Sequence, residues 1–279
     1  MLEENMFKKF DNVLLTPEEA KEAILILQDS YRIQKLEHRL YLEDNYIPEN
    51  IIALYIHYIE QNNYQAIVKN YKLQYIDNEA LVESDVTIEE RIGLAHVYDF
   101  ISTYNFQKNP NIFVDALKIH CLLYSACPHP EFGGKLRVDS VRLQGSSYEV
   151  IPADEARKIF QSQITKTLNF DENNILNYID EAIKTIIDLI KIQPFRDGNK
   201  RTFRALLNLL LGKIGIPPIY INIEEREIYK RELLKAIETN DYRAITKFYY
   251  YKICDAIIDL DLMKSLQKTE NQETPFVIK

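Results

Sequence analysis

Glycine is scarce in this chain and unevenly placed, and that placement limits what the chain can fold into. Of 279 residues only seven are glycine, and six of these, Gly133, Gly134, Gly145, Gly198, Gly212 and Gly215, fall between positions 133 and 215. Glycine supplies the left-handed and closely approached backbone that other residues resist, so unusual geometry is expected in that window and regular structure elsewhere. The segments Ala20 to Leu42, Ile51 to Gln61 and Arg91 to Tyr104 carry helical periodicity with little punctuation. The expected class is mainly α.

Residues 1 to about 85 read as an N-terminal helical region. Thr16-Pro17-Glu18-Glu19 supplies a capping hydroxyl, proline at the first helical position and acidic residues in the first turn. A core is expected over residues 86 to 262, with a polar tail over 263 to 279. Asn111 to Tyr124 reads as an amphipathic helix ended by Pro128 and Pro130. Val138 to Val150, centred on Gln144-Gly145-Ser146-Ser147, alternates in the manner of a small β-hairpin.

Two helices bracket the most informative loop. Ile175, Ile179, Ala182, Ile183, Ile186, Ile187 and Ile190 give the first a broad apolar face. In the second, Phe203, Leu206, Leu207, Leu210 and Leu211 share one side, with Arg201 and Arg204 on the other. Gly212, Gly215 and Pro217-Pro218 end it, and Glu224 to Glu238 and Asp241 to Leu260 read as closing helices.

The loop reads Gln193-Pro194-Phe195-Arg196-Asp197-Gly198-Asn199-Lys200-Arg201-Thr202-Phe203-Arg204. Gly198-Asn199 at a loop-to-helix junction can turn successive N–H groups toward one point, and the helix start adds partial positive charge. Arg201 and Arg204 can reach the outer oxygens of a polyphosphate with planar donor forks. Asp197 stands where a hard cation bridging phosphates needs a carboxylate. These residues describe a cradle for a nucleoside triphosphate. Residue types alone also allow an ordinary helix start with solvated arginines.

The chain carries a net charge of −8, which argues against whole-molecule attraction to nucleic acid or an anionic membrane. No stretch approaches the length of a transmembrane helix, and the N-terminus lacks the pattern of a signal or transit peptide. Cys121, Cys127 and Cys254 fit neither a disulfide framework nor a zinc cluster, and His120, Cys121, Cys127 and His129 lack metal-ligand spacing. The expected location is cytoplasmic, whether in the producing cell or delivered into a host cytoplasm.

The loop resembles the signature of the Fic (Fido) proteins, H-P-F-x-(D/E)-G-N-(G/K)-R-x-x-R, with Pro194, Phe195, Asp197, Gly198, Asn199, Arg201 and Arg204 matching. Gly133-Gly134-Lys135-Leu136-Arg137, Gln144-Gly145-Ser146-Ser147, and Gly215-Ile216-Pro217-Pro218 with Glu227-Ile228-Tyr229 resemble further family segments. The resemblance runs from about residue 90 to 258. It implies a helical Fic/Fido bundle with an N-terminal helical extension and a small β-hairpin flap. It also implies transfer of AMP from ATP to a Ser, Thr or Tyr hydroxyl of a target protein. By resemblance, Gly198, Asn199, Lys200, Arg201 and Arg204 hold the nucleotide, Tyr229 lies near the adenine, Asp197 binds Mg²⁺, and the flap docks the target as an added strand. Self-association into a homo-oligomer is left open.

Two departures bear on mechanism. The family's histidine, which takes the proton from the attacking hydroxyl, is here Gln193, and none of His38, His57, His96, His120 and His129 lies in the motif. A carboxamide can orient a hydroxyl but has no titration near neutrality, so transfer is expected to fall by about 10²–10⁴-fold. Many relatives also carry an inhibitory helix, S/T-x-x-x-E-G/N, whose Glu pairs with the second motif arginine. Ser30 to Lys35 resembles it with Gln34 in place of the Glu, so restraint on Arg204 is expected to be weak. Both losses suggest a pseudoenzyme. Lys200, shared with relatives resembling the Doc toxin, keeps phosphotransfer open as an alternative, and a nucleotide-free protein-interaction module is another.

Overall fold

The computed structural model describes residues 16–36, 47–58, 64–82, 86–166, 168 and 174–272. The chain divides into two compact units, Met1–Glu60 with Tyr250–Lys279, and Gln61–Tyr249. Tyr64–Val82 lies within the larger of these units.

In the smaller unit α1, Pro17–Leu36, packs on α2, Ile47–Tyr58. The cap foreseen at Thr16 is present: the Glu19 amide donates to Thr16 Oγ1 (3.3 Å), and the Thr16 amide donates to Glu19 Oε2 (2.7 Å). Within this unit Tyr31 donates to Asp255 Oδ1 (3.0 Å), which also takes the Lys35 ammonium (2.7 Å). Ser30 and Gln34 lie on α1.

The larger unit contains α3, Tyr64–Val82; α4, Ile88–Ser102; α5, Ile112–Leu123; α6, Ala153–Ser162; α7, Ile175–Ile192; α8, Asn199–Lys213; and α9, Arg226–Thr239. The final helix, α10, Arg243–Gln272, begins in this unit and continues into the other. Residues 263–272, expected in a polar tail, are helical, and 273–279 lie outside the described residues. No described helix is long and apolar enough to cross a membrane.

The isoleucine stripe on α7 is buried as its spacing requires, and α7 packs against α8. Helix α8 differs from the expected two-sided pattern, because Arg201 and Arg204 are buried along with Phe203 and the leucines. A helix enclosed on all sides must satisfy its polar side chains from neighbouring helices, and α4 and α5 supply two of its walls.

The expected β-hairpin is absent: among the described residues there is no strand, only a single antiparallel bridge between Leu136 and Phe195. The physical reason lies at the roots of the flap. The Arg137 guanidinium takes the carbonyls of Asp139 (2.9 Å) and Ile151 (2.6 Å), so a side chain fills the place of a backbone ladder there. At the tip, the Ser146 amide closes a turn onto the Leu143 carbonyl (3.2 Å). An isolated two-stranded ribbon has little stability of its own.

Gly93 lies where α4 presses on the end of α5. A Cβ at that position would lie 1.9 Å from the Leu123 carbonyl oxygen, so α4 and α5 approach through glycine alone. Gly93→Ala is expected to lower unfolding free energy by at least about 2 kcal/mol, measured by urea denaturation.

Candidate functional site

The loop between α7 and α8 is held in place by amide, carboxamide and guanidinium hydrogen bonds. Asn199, at the first position of α8, accepts from the Phe195 amide (3.0 Å) and donates to the Phe195 carbonyl (2.9 Å) and to Gln193 Oε1 (3.0 Å). Arg137 donates through Nε to the Gln193 carbonyl (2.6 Å), and its amide donates to the Pro194 carbonyl (3.0 Å). Gln193 itself has φ 47° and ψ 65°, a left-handed conformation uncommon outside glycine and asparagine. Its carboxamide is buried, donating to the Ile190 carbonyl (2.5 Å) while accepting from Asn199. In this arrangement the Gln193 carboxamide braces the loop from within.

Gly198 opens α8 with φ 72° and no side-chain cap. A Cβ there would meet Tyr124 at 3.0 Å and Leu123 at 3.2 Å, so conformation and space both require glycine. Behind the loop, His120 stacks on Phe195 with ring centroids 3.9 Å apart. Its Nδ1 accepts from the Gly134 amide (2.8 Å), which fixes the proton on Nε2 for donation to the Asp197 carbonyl (3.0 Å). Burial lowers its pKa to about 4, against the opposing pull of Asp197. His120 is thus a neutral spacer joining the Gly133-Gly134 turn to the motif loop, a role that sequence reading missed.

Both motif arginines are already paired. Arg204 donates to Glu79 Oε2 through Nε (2.8 Å) and NH2 (2.6 Å), with arginine and glutamate side chains only 4% and 3% exposed. Its guanidinium also lies 5.7 Å from the centroid of the Tyr229 ring. Tyr229, expected beside the adenine, is enclosed against Phe248 and Tyr249. Arg201 donates through NH1 to Glu90 Oε1 (2.6 Å) and places NH2 4.0 Å from Asp197 Oδ2. Burial is the largest influence on the Arg201 guanidinium and works against its charge, but the Glu90 hydrogen bond and the charges of Glu90 and Asp197 together outweigh it and raise the pKa.

A carboxylate does meet Arg204, and it comes from Glu79 on α3. The pattern S/T-x-x-x-E-G/N could not find it, because Tyr75 and Ala80 occupy the flanking positions. The available signal was periodicity: Val68, Tyr75, Ile76 and Glu79 share one buried stripe, with an acid where an apolar residue is due.

Asp197 presents an exposed carboxylate at the loop mouth. Burial, followed by the charge of Asp197, raises the pKa of the Tyr124 phenol beside it. No group of three or more His, Cys, Asp or Glu that could hold a metal occurs among the described residues. One carboxylate suits Mg²⁺, whose remaining ligands are commonly phosphate oxygens and water. The docking residues Gln144, Gly145, Ser146 and Ser147 sit at the flap tip, where Ser146 contacts Glu238 of α9. Lys200 stands in the first turn of α8, half-buried.

Residues 112–211 match the model of the Fic/DOC family. Protein adenylyltransferase Fic of Nematostella vectensis is 30% identical over 160 residues, covering 57% of this chain and 36% of that protein. The protein of the same name from Drosophila mojavensis is 29% identical over 159 residues, covering 57% and 31%. The chain thus spans about a third of the length of these relatives. A Fic-1 fragment from C. elegans shares the fold, with a TM-score of 0.56 at 18% identity over 85% of this chain and 86% of that one. A variant of that fragment gives a TM-score of 0.58 at 17% identity, covering 85% and 75%. These matches support the Fic family for this segment and a Fic-like fold.

His120 carries a testable sign. Its folded pKa lies below the unfolded value, so its contribution to stability is complete above about pH 6.5 and is lost as pH falls toward about 4. The loss from this group should reach about 3 kcal/mol. Chemical denaturation at several pH values should show the decline, and His120→Gln should flatten that part of the profile.

Proposed function

We propose that this chain is a nucleotide-binding Fic protein related to protein adenylyltransferases, restrained by Glu79 and depleted in transfer activity by Gln193. The observation that carries the reading is the state of Arg204. A guanidinium beside a phosphate-type helix start is buried and satisfied by a carboxylate, the acceptor that a terminal phosphate would replace. In this reading the start of α8 and Arg201 hold ATP from the other side, and Asp197 would hold Mg²⁺. The metal would supply charge neutralisation across the phosphates.

AMP transfer to a Ser, Thr or Tyr hydroxyl needs that hydroxyl to lose its proton as it attacks the α-phosphate. Gln193 cannot accept the proton, and both ends of its amide are engaged within the loop. A second loss at the inhibitory position no longer supports the pseudoenzyme reading, since Glu79 keeps that contact. The reading now rests on Gln193. The target would dock at the flap, which makes no strand ladder of its own among the described residues and so leaves its edges open to an added strand.

Calorimetric titration with ATP-Mg²⁺ tests nucleotide binding and its restraint. Glu79→Gln should raise affinity at least about tenfold relative to the unchanged chain. It should also lower stability without ligand by roughly 3 kcal/mol, because Arg204 loses its buried counter-charge. Failure of both proteins to bind at millimolar ATP would contradict the reading.

Transfer is read separately, with α-labelled ATP and a cell lysate. The unchanged chain should leave proteins unlabelled, and Gln193→His with Glu79→Gln should label them. In the imidazole variant, Nδ1–H can replace the Gln193 bond to the Ile190 carbonyl and leave Nε2 as the proton acceptor. Labelling by the unchanged chain would contradict the assignment of Gln193.

A further inference from the structure

Glu90 performs two tasks with one carboxylate. Its Oε2 accepts from the Thr87 amide (2.8 Å), completing a capping box at the start of α4, in which the Glu90 amide donates to Thr87 Oγ1 (3.3 Å). Its Oε1 accepts from Arg201 NH1 (2.6 Å). The Thr87 amide fixes the glutamate rotamer, and the fixed glutamate in turn fixes the Arg201 plane. With NH1 engaged, NH2 is directed toward Asp197 at 4.0 Å, the side where the loop opens to solvent.

We propose that Glu90 is a positioning residue of the phosphate site, aiming the NH2 edge of Arg201 at the anion bound between Asp197 and the start of α8. The proposal rests on the nucleotide-binding reading. An arginine held in a planar pose before binding loses less side-chain freedom when a phosphate arrives. The Arg201 side chain is only 9% exposed, so the carboxylate also keeps its charge tolerable away from water. The chemistry demands a glutamate. The two bonds use different oxygens, Oε2 for the Thr87 amide and Oε1 for Arg201, and in glutamine one of these positions becomes an NH2 that faces a donor and carries no charge.

This arrangement differs from the Glu79 pair. Glu79 covers Arg204 along both Nε and NH2, whereas Glu90 engages Arg201 at NH1. The first contact occupies a phosphate-binding edge, and the second orients one.

Calorimetric titration with ATP-Mg²⁺ in the Glu79→Gln background tests the assignment. Adding Glu90→Gln should weaken binding at least about tenfold, while adding Thr87→Val, which removes the capping hydroxyl but keeps the amide, should lower the melting temperature and change affinity less than about threefold. In ligand-free protein, the guanidinium ¹⁵N–¹H resonances of Arg201 should show hindered rotation in the parent and lose it in Glu90→Gln. Unchanged or tighter ATP binding in Glu90→Gln would overturn the proposal, tighter binding meaning that the carboxylate competes with phosphate. Equal weakening by Thr87→Val would overturn it too, since capping alone would then explain the effect. No ATP binding in the parent would fail the nucleotide-binding reading itself, and free rotation of Arg201 in the parent would overturn the positioning role independently.

Discussion

A guanidinium enclosed by apolar side chains has to be neutralised where it sits, and the larger unit is organised around that requirement at Arg204. The residue comes from the second turn of α8, a helix buried on every side, so its counter-charge has to come from another helix. Glu79 on α3 supplies it at 2.6 Å. Removing either charge would leave the other stranded in a low-dielectric interior, at a cost of roughly 3–5 kcal/mol. An anionic ligand able to substitute for the glutamate is therefore linked to the position of α3.

The remainder of the site is braced by uncharged contacts. Asn199, His120 and the Gln193 carboxamide use amides, carbonyls and one fixed tautomer. Arg137 adds a cation whose recorded partners are all backbone carbonyls, those of Asp139, Ile151, Ile192 and Gln193. These contacts tie the flap roots, the left-handed turn at Gln193 and the start of α8 into one framework. Such a framework can present an anion site without placing further carboxylates in its path. The acids that do approach it are Glu79, Glu90 and Asp197, each facing a different part of the arginine and loop surface.

Much of this was legible from residue patterns. The α7 stripe, the glycine at the helix start and the motif loop all lie where spacing put them, because each depends on a local rule of periodicity or backbone conformation. The flap was misread because alternation describes which faces side chains occupy, not whether two arms pair, and Arg137 takes carbonyls at both roots. Ser30 and Gln34 stand out by a short pattern, whereas Glu79, the acid that meets Arg204, is marked only by a charge on a buried stripe. Arg201 and Arg204 were placed on a polar face because a single helix cannot reveal what encloses it. The two roles of Glu90 were equally hidden, since a capping box is local while its partner Arg201 lies far along the chain.

The most direct measurement is hydrogen exchange in the unchanged chain, with and without saturating ATP-Mg²⁺. Binding at the loop should protect the amides from Gly198 to Arg201. If phosphate must displace Glu79 from Arg204, amides of α3 around Glu79 should exchange faster in the same sample. Protection at the loop with unaltered exchange in α3 would contradict the central claim that nucleotide and Glu79 compete for one arginine.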